Sequence, residues 1–197
     1  MTELGLVDLE GLTSQHIPAE KLNAYFSCLM EQNRRVNLVS RETNRAGFER
    51  MVGESLLPLK YMKIPVQSYL DIGAGGGIPA IPFLLAGAVS GKTTLFERTL
   101  KKARALETIV DKLQLKASVI ARNFEELDGL PRVELITLRY VKLTPVLLHS
   151  IGAVLCPGGL LVYYGPPLDN NLDLRVERFT FQSVQDSVVK SFTIFQK

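Results

Sequence analysis

Cysteine and histidine are scarce in this chain. Two of each occur in 197 residues, Cys28, Cys156, His16 and His149. Two cysteines make neither a disulfide framework nor a zinc cluster, so a reducing compartment is the expectation. Two histidines leave almost no room for a histidine-rich metal site, and no metal is expected. Charge of one sign is also lacking, with 23 Lys and Arg against 20 Asp and Glu, a net +3. That balance permits a nucleic-acid partner without demanding one. Long hydrophobic runs are missing as well. The most apolar stretch, residues 78–89, is too short to span a bilayer and contains Pro79 and Pro82. Near the start, Glu3, Asp8 and Glu10 stand where a signal peptide carries positive charge. The expectation is a cytoplasmic chain with no membrane partner.

What is present is enough apolar residue, 46% of the chain, for one sizeable core. Apolar positions three and four apart predict a helix over residues 18–36, through Leu22, Phe26, Leu29 and Met30. A second helix is expected over 46–62. From Ser68 the pattern changes to short apolar strands at 69–72, 93–96, 117–121, 133–138 and 159–164, with helices at 100–113 and 146–155. Two β-rich stretches, 175–181 and 188–195, read as a closing antiparallel pair. Alternating strands and helices with short connections predict an α/β fold, a mostly parallel sheet covered on both faces. No linker divides the chain, so residues 1–65 read as a helical extension of one domain whose α/β core is 66–197.

The sharpest local feature is Asp71-Ile72-Gly73-Ala74-Gly75-Gly76-Gly77-Ile78-Pro79, placed where the first of these strands turns into a helix. Glycines there supply positive φ and let a ligand approach bare backbone. A dinucleotide fingerprint would put glycine at Ile78, which speaks against a nucleotide-dependent oxidoreductase. The form present favours a nucleoside lacking a pyrophosphate, above all S-adenosylmethionine, with the glycines Gly73, Gly75 and Gly77 as candidate contacts. Glu97 follows about 20 residues later, where a carboxylate meets a ribose diol. Phe124 and Glu125, after the third of these strands, are placed to read an adenine edge; an N-cap at Asn123 followed by acids is the plainer alternative.

With those elements in place, the chain resembles the RsmG (GidB) family of bacterial small-subunit ribosomal RNA guanine-N7 methyltransferases. The likeness runs through Val36-Asn37-Leu38-Val39-Ser40, Glu54-Ser55-Leu56, the glycine loop with its paired Pro79 and Pro82, Glu97-Arg98-Thr99-Leu100-Lys101-Lys102, Arg122-Asn123-Phe124-Glu125-Glu126, Leu135 to Arg139, and Cys156-Pro157-Gly158-Gly159. It implies a Rossmann-like class I methyltransferase with a seven-stranded, mostly parallel sheet. It also implies S-adenosylmethionine as cofactor, ribosomal RNA or the small ribosomal subunit as partner, and a monomer. Gly73, Ile78, Glu97, Phe124, Glu125 and Arg139 are the cofactor contacts that it implies. The chain departs from the family pattern at Met51 (usually His), Glu54 (usually Asp), Tyr140 (usually small) and Tyr164 (usually Lys). A non-catalytic RNA- or ribosome-binding relative, or a methyltransferase with another target, is the alternative those positions leave open.

Guanine N7 has a lone pair and no proton, so its methylation needs positioning rather than a general base, and no catalytic residue is assigned. Amine methylation is disfavoured because Leu138-Arg139-Tyr140 stands where such enzymes carry Asp/Asn-Pro-Pro-Tyr, and Pro166-Pro167 lacks the acid or amide. Cys28 and Cys156 read as small hydrophobes rather than nucleophiles. Two basic groups are candidate RNA contacts or simply solvated faces: Arg34, Arg35, Arg41, Arg45 and Arg50, and Arg98, Lys101, Lys102 and Arg104. Tyr140, Tyr163 and Tyr164 are candidates to stack on a base, against the commoner role of tyrosine in a core.

Overall fold

A computed structural model describes residues 1–126, 129–166, 174–185 and 188–197. Pro167, quoted above, lies outside the described residues. The order of elements is β1 (Thr2–Val7), α1 (Leu9–His16), α2 (Ala19–Asn33), α3 (Arg45–Leu56), a 3-10 turn (Leu57–Tyr61), β2 (Val66–Ile72), α4 (Ala80–Leu85) and β3 (Val89–Phe96). There follow α5 (Leu100–Lys112), β4 (Ser118–Ile120), a 3-10 turn (Phe124–Glu126), β5 (Val133–Arg139), α6 (Pro145–Val154), β6 (Leu155–Tyr164), β7 (Arg175–Ser183) and β8 (Val189–Gln196).

The strands form one sheet in the order β1-β7-β8-β6-β5-β2-β3-β4. Neighbours are parallel except where β8 runs antiparallel to β6 and β7. The expected closing hairpin is therefore β7 and β8. Two expectations need correcting. The sheet has eight strands rather than seven, and the extension over residues 1–65 opens with a strand rather than a helix. The eighth strand, β1, is mostly exposed and carries Gly5, so it shows almost no alternation of apolar and polar residues. Its pairing with β7, more than 170 residues away in sequence, supplies what local pattern does not.

Strand alternation divides the core between the two faces. Tyr69, Leu135, Val162 and Ile194 pack on one side with Leu22, Leu29, Phe48 and Leu106 from the helices. Leu70, Ile136, Leu161 and Phe195, each one position along, pack on the other with Leu147 and Ile151 of α6. Both faces are covered, which is why β2 and β5 are buried along most of their length, polar positions such as Asp71 and Thr137 included. The N-cap side chains of Asp8, Asn44 and Thr144 accept from the backbone N–H groups of Gly11, Gly47 and Leu147, fixing the starts of α1, α3 and α6. The chain leaves β2 for β3 on one side and returns to β5 on the other. The carboxyl ends of β2, β3 and β5 thus border the crevice where ligands of open α/β sheets bind.

Candidate active site

The turn after β2 is fixed from both ends. The N–H groups of Gly73 and Ala74 donate to the Phe96 carbonyl at 2.8 and 2.9 Å, tying the loop to the end of β3. From the helical side, the Tyr25 hydroxyl on α2 donates to the Gly76 carbonyl at 2.9 Å. Gly73, Gly75 and Gly77 all have positive φ, at +76°, +53° and +88°, conformations that disfavour any side chain. Their surroundings differ. A Cβ at Gly73 would meet Val141 Cγ2 at 2.3 Å, and one at Gly77 would meet Ile81 Cδ1 at 2.5 Å. A Cβ at Gly75 would meet nothing nearer than 3.8 Å. Gly75 presents bare backbone to open space, whereas Gly77 is packed behind the loop and does not line the cleft.

That open space is a cavity of about 810 Å³. Glu97 lies on its floor at the end of β3 and is 6% exposed. One carboxylate oxygen accepts from the Gly75 N–H at 3.1 Å and the other from the Thr99 N–H at 2.8 Å. A carboxylate has about four acceptor positions, so capacity remains for hydroxyl donors. Phe124 is buried and packs edge-on against Phe96, with centroids 5.6 Å apart, while Glu125 lies exposed beside it. Ile78, Phe124 and Glu125 all line the cavity. Of the predicted residues, Gly73, Gly75, Ile78, Glu97, Phe124, Glu125 and Arg139 meet here and Gly77 does not.

Asp71 lies beneath the loop and is 1% exposed. It faces Thr137 across the β2–β5 ladder and accepts from that hydroxyl at 2.5 Å, and Thr137 is in turn 2.6 Å from the Tyr69 hydroxyl. Because Thr137 gives its proton to Asp71, Tyr69 donates to Thr137. The second Asp71 oxygen has no partner among the described residues. Burial pushes this carboxyl up to about 7, against the hydrogen bond from Thr137 and the charge of Arg139.

The opposite wall is built from side chains. Arg139 ends β5 with its side chain 4% exposed, and its guanidinium donates to Glu54 at 2.6 Å, to the Met51 carbonyl at 3.0 Å and to Ser55 at 3.1 Å. Lys190 on β8 reaches the other Glu54 oxygen at 2.5 Å. The Tyr164 hydroxyl donates to the Ser55 carbonyl at 2.6 Å. Burial works against the charge on Arg139, yet Glu54 and the neighbouring tyrosines hold its pKa above the ordinary value. Arg139 reaches the cavity, but its short hydrogen bonds are directed to α3, with one longer contact of 3.5 Å to the Tyr140 hydroxyl. Sequence reasoning missed this cluster because its members come from α3, β5, β6 and β8, with no shared spacing.

The segment between α2 and α3 supplies a further wall. Asn33 accepts from the N–H groups of Leu38 and Val39 at 2.8 and 3.0 Å, turning residues 37–40 toward the glycine loop. On the rim stand Arg98, Lys102, Arg122 and Lys142, which form no ion pair among the described residues. Lys142 and Arg122 belong to neither basic group singled out in the sequence. Of the N-terminal arginines, Arg45 pairs with Glu49 and lies over the rings of Phe26 and Phe48, and Arg50 sits 3.9 Å from Glu10. None of the five lines the cavity.

Comparison with known proteins agrees with this architecture. A family model for rRNA small subunit methyltransferase G, GidB, matches residues 18–196. The ribosomal RNA small subunit methyltransferase G of Magnetococcus marinus is 29% identical over 189 residues, covering 94% of this chain and 84% of that protein. Its counterpart from Helicobacter pylori is 33% identical over 144 residues, covering 73% and 79%. In three dimensions the chain is similar to an O-methyltransferase from Bacillus cereus solved with S-adenosylhomocysteine, with a TM-score of 0.67 at 13% identity over 95% of this chain and 99% of that one. At that identity the structural likeness speaks for the Rossmann-like methyltransferase fold alone. The family match takes in every element from α2 to β8, and with them each wall of the cavity: the chain belongs to the GidB family of rRNA small subunit methyltransferases.

Proposed function

We propose that this protein transfers a methyl group from S-adenosylmethionine to guanine N7 in small-subunit ribosomal RNA. It would act as a cytoplasmic monomer and one methyltransferase domain, in which residues 1–65 help to close the cleft. The observation that carries this reading is the pairing of bare backbone at Gly75 with the Glu97 carboxylate, on one cavity at the carboxyl edge of the sheet. The residues fit the donor. Gly73 and Gly75 offer backbone to its methionine part, and Glu97 retains acceptor positions for two ribose hydroxyls. Ile78 and the Phe124–Glu125 turn bound the space for an adenine. Gly77 and Arg139 serve from behind, Gly77 by shaping the loop and Arg139 by holding α3 against β5.

When bound, S-adenosylmethionine supplies a sulfonium methyl that is released as the N7–carbon bond forms, leaving a neutral thioether and a cationic base. The chain needs no base for this, because N7 carries no proton; its part is to hold nucleophile and methyl in line and to keep water out. Arg98, Lys102, Arg122 and Lys142, without an ion pair among the described residues, provide positive charge for RNA phosphates at the rim. S-adenosylhomocysteine at millimolar concentration is expected to raise the melting temperature, since a ligand that binds only the folded state stabilises it. Small subunits from cells lacking the protein are expected to accept one methyl at a guanine. Absence of the thermal shift would refute the cofactor reading; a shift without methyl transfer would refute the substrate.

A further inference from the structure

Position 140 combines three properties that folding does not explain. Tyr140 is 87% exposed, so it contributes little burial. Its φ is +56°, a left-handed conformation uncommon for a bulky side chain and tolerated far better by glycine or asparagine. It also lines the mouth of the cavity, directly after Arg139. Strained residues concentrate at functional sites, held there by the structure around them.

The other aromatic side chains on or near this wall are already engaged. Phe96 and Phe124 are buried against each other, Tyr163 is 6% exposed, and the Tyr164 hydroxyl is taken by the Ser55 carbonyl. Among the described residues, Tyr140 is the one largely exposed ring on the cavity. The Arg139 guanidinium lies over its ring, 5.1 Å from the centroid, and makes a long contact of 3.5 Å to its hydroxyl, which limits how far the ring can turn. Lys142 stands two residues on, with Arg98, Lys102 and Arg122 around the same rim.

We propose that Tyr140 is the platform on which the target guanine stacks. Its backbone twist at the end of β5 turns the ring into the cavity mouth, and the rim cations hold the flanking phosphates. Unpaired bases are recognised in this way, by an aromatic face together with backbone contacts. This inference rests on the proposed RNA methyl transfer and names the residue that would orient the base.

The test measures steady-state methylation of small subunits lacking the modification, alongside S-adenosylhomocysteine binding and melting temperature, for wild type, Tyr140→Phe, Tyr140→Ala and Tyr140→Asn. Tyr140→Ala and Tyr140→Asn are expected to lower kcat/KM by about 10- to 100-fold, the range of lost base–aromatic stacking, chiefly through KM for RNA. Tyr140→Phe keeps the ring and is expected to stay close to wild type. All three should bind S-adenosylhomocysteine as wild type does. Tyr140→Asn, at ease at this φ, should melt at or above the wild-type temperature, so its lost turnover cannot be blamed on unfolding. Unchanged turnover in Tyr140→Ala, with wild-type cofactor binding intact, overturns the stacking role alone. Loss of cofactor affinity in parallel with turnover would also overturn it, and would make the ring a cover for Arg139. A wild-type protein that binds no S-adenosylhomocysteine overturns the proposed function itself.

Discussion

The two walls of the cleft are made by opposite means. The glycine wall is backbone: Gly73 and Ala74 are tied to the Phe96 carbonyl, Gly76 to Tyr25, and Gly75 to Glu97. The arginine wall is side chain: Arg139, Glu54, Ser55, Tyr164 and Lys190 converge from four elements. The difference teaches where each wall is vulnerable. In the first, an added carbon has nowhere to go without entering the cleft or the core. In the second, charge balance is what holds the buried parts together.

The largest expected effect lies in the glycine wall, and two substitutions should divide it. Gly75→Val puts its side chain into the cavity and strains a backbone at φ +53°. It is expected to fold, with some loss of stability, and to show no thermal shift with S-adenosylhomocysteine. Gly77→Val drives Cβ to 2.5 Å from Ile81 and 3.1 Å from Leu106, so its expected defect is folding itself. If Gly77→Val folded normally and lost only the ligand, the division of labour between these glycines would be wrong.

A smaller but still large effect is expected across the arginine wall. Glu54 answers two cations, and its removal leaves Arg139 buried without a counter-charge. Breaking a buried pair from one side costs about 3–5 kcal/mol, so Glu54→Ala should lower the urea midpoint markedly. Lys190 has a side chain 30% exposed, and its pairing with Glu54 is partly hydrated. Lys190→Ala is expected to cost about 1 kcal/mol or less. Equal losses in the two variants would mean that Lys190, rather than Arg139, is the charge that Glu54 serves.

The same contrast explains what could be read in advance. The glycine wall was legible because its residues are contiguous and its chemistry local: an acid, a strand, a run of glycines, then a carboxylate at the end of the next strand. Gly77 shows the limit, since sequence reveals the need for positive φ but not which glycine faces the ligand. Arg139 was visible as a strand-end cation, yet its engagement by Glu54, 85 residues earlier, is a fact of packing. Tyr140 stood among three candidate tyrosines until burial and φ separated them. The edge strand β1 was missed for a related reason, because a strand exposed along most of its length carries little alternation.

The last effect concerns pH and again separates the walls. Asp71, under the glycine loop, has a folded-state pKa of about 7, raised by burial from an ordinary carboxylate value. The folded state therefore binds this proton more tightly than the unfolded state does. The stability that the proton contributes is complete below the unfolded pKa and is lost as pH rises through about 7. Between pH 5 and pH 8 the loss is on the order of 2–3 kcal/mol. Asp71→Asn, which cannot ionise, lacks that slope, so its stability relative to wild type should improve from pH 5 to about pH 7 and level off above it. Arg139, held above its ordinary pKa, stays charged throughout this window and adds no slope of its own. Urea titrations at each pH would read the difference directly. Parallel curves for the two proteins would mean that Asp71 is ionised across the whole range, with its unpartnered oxygen solvated after all.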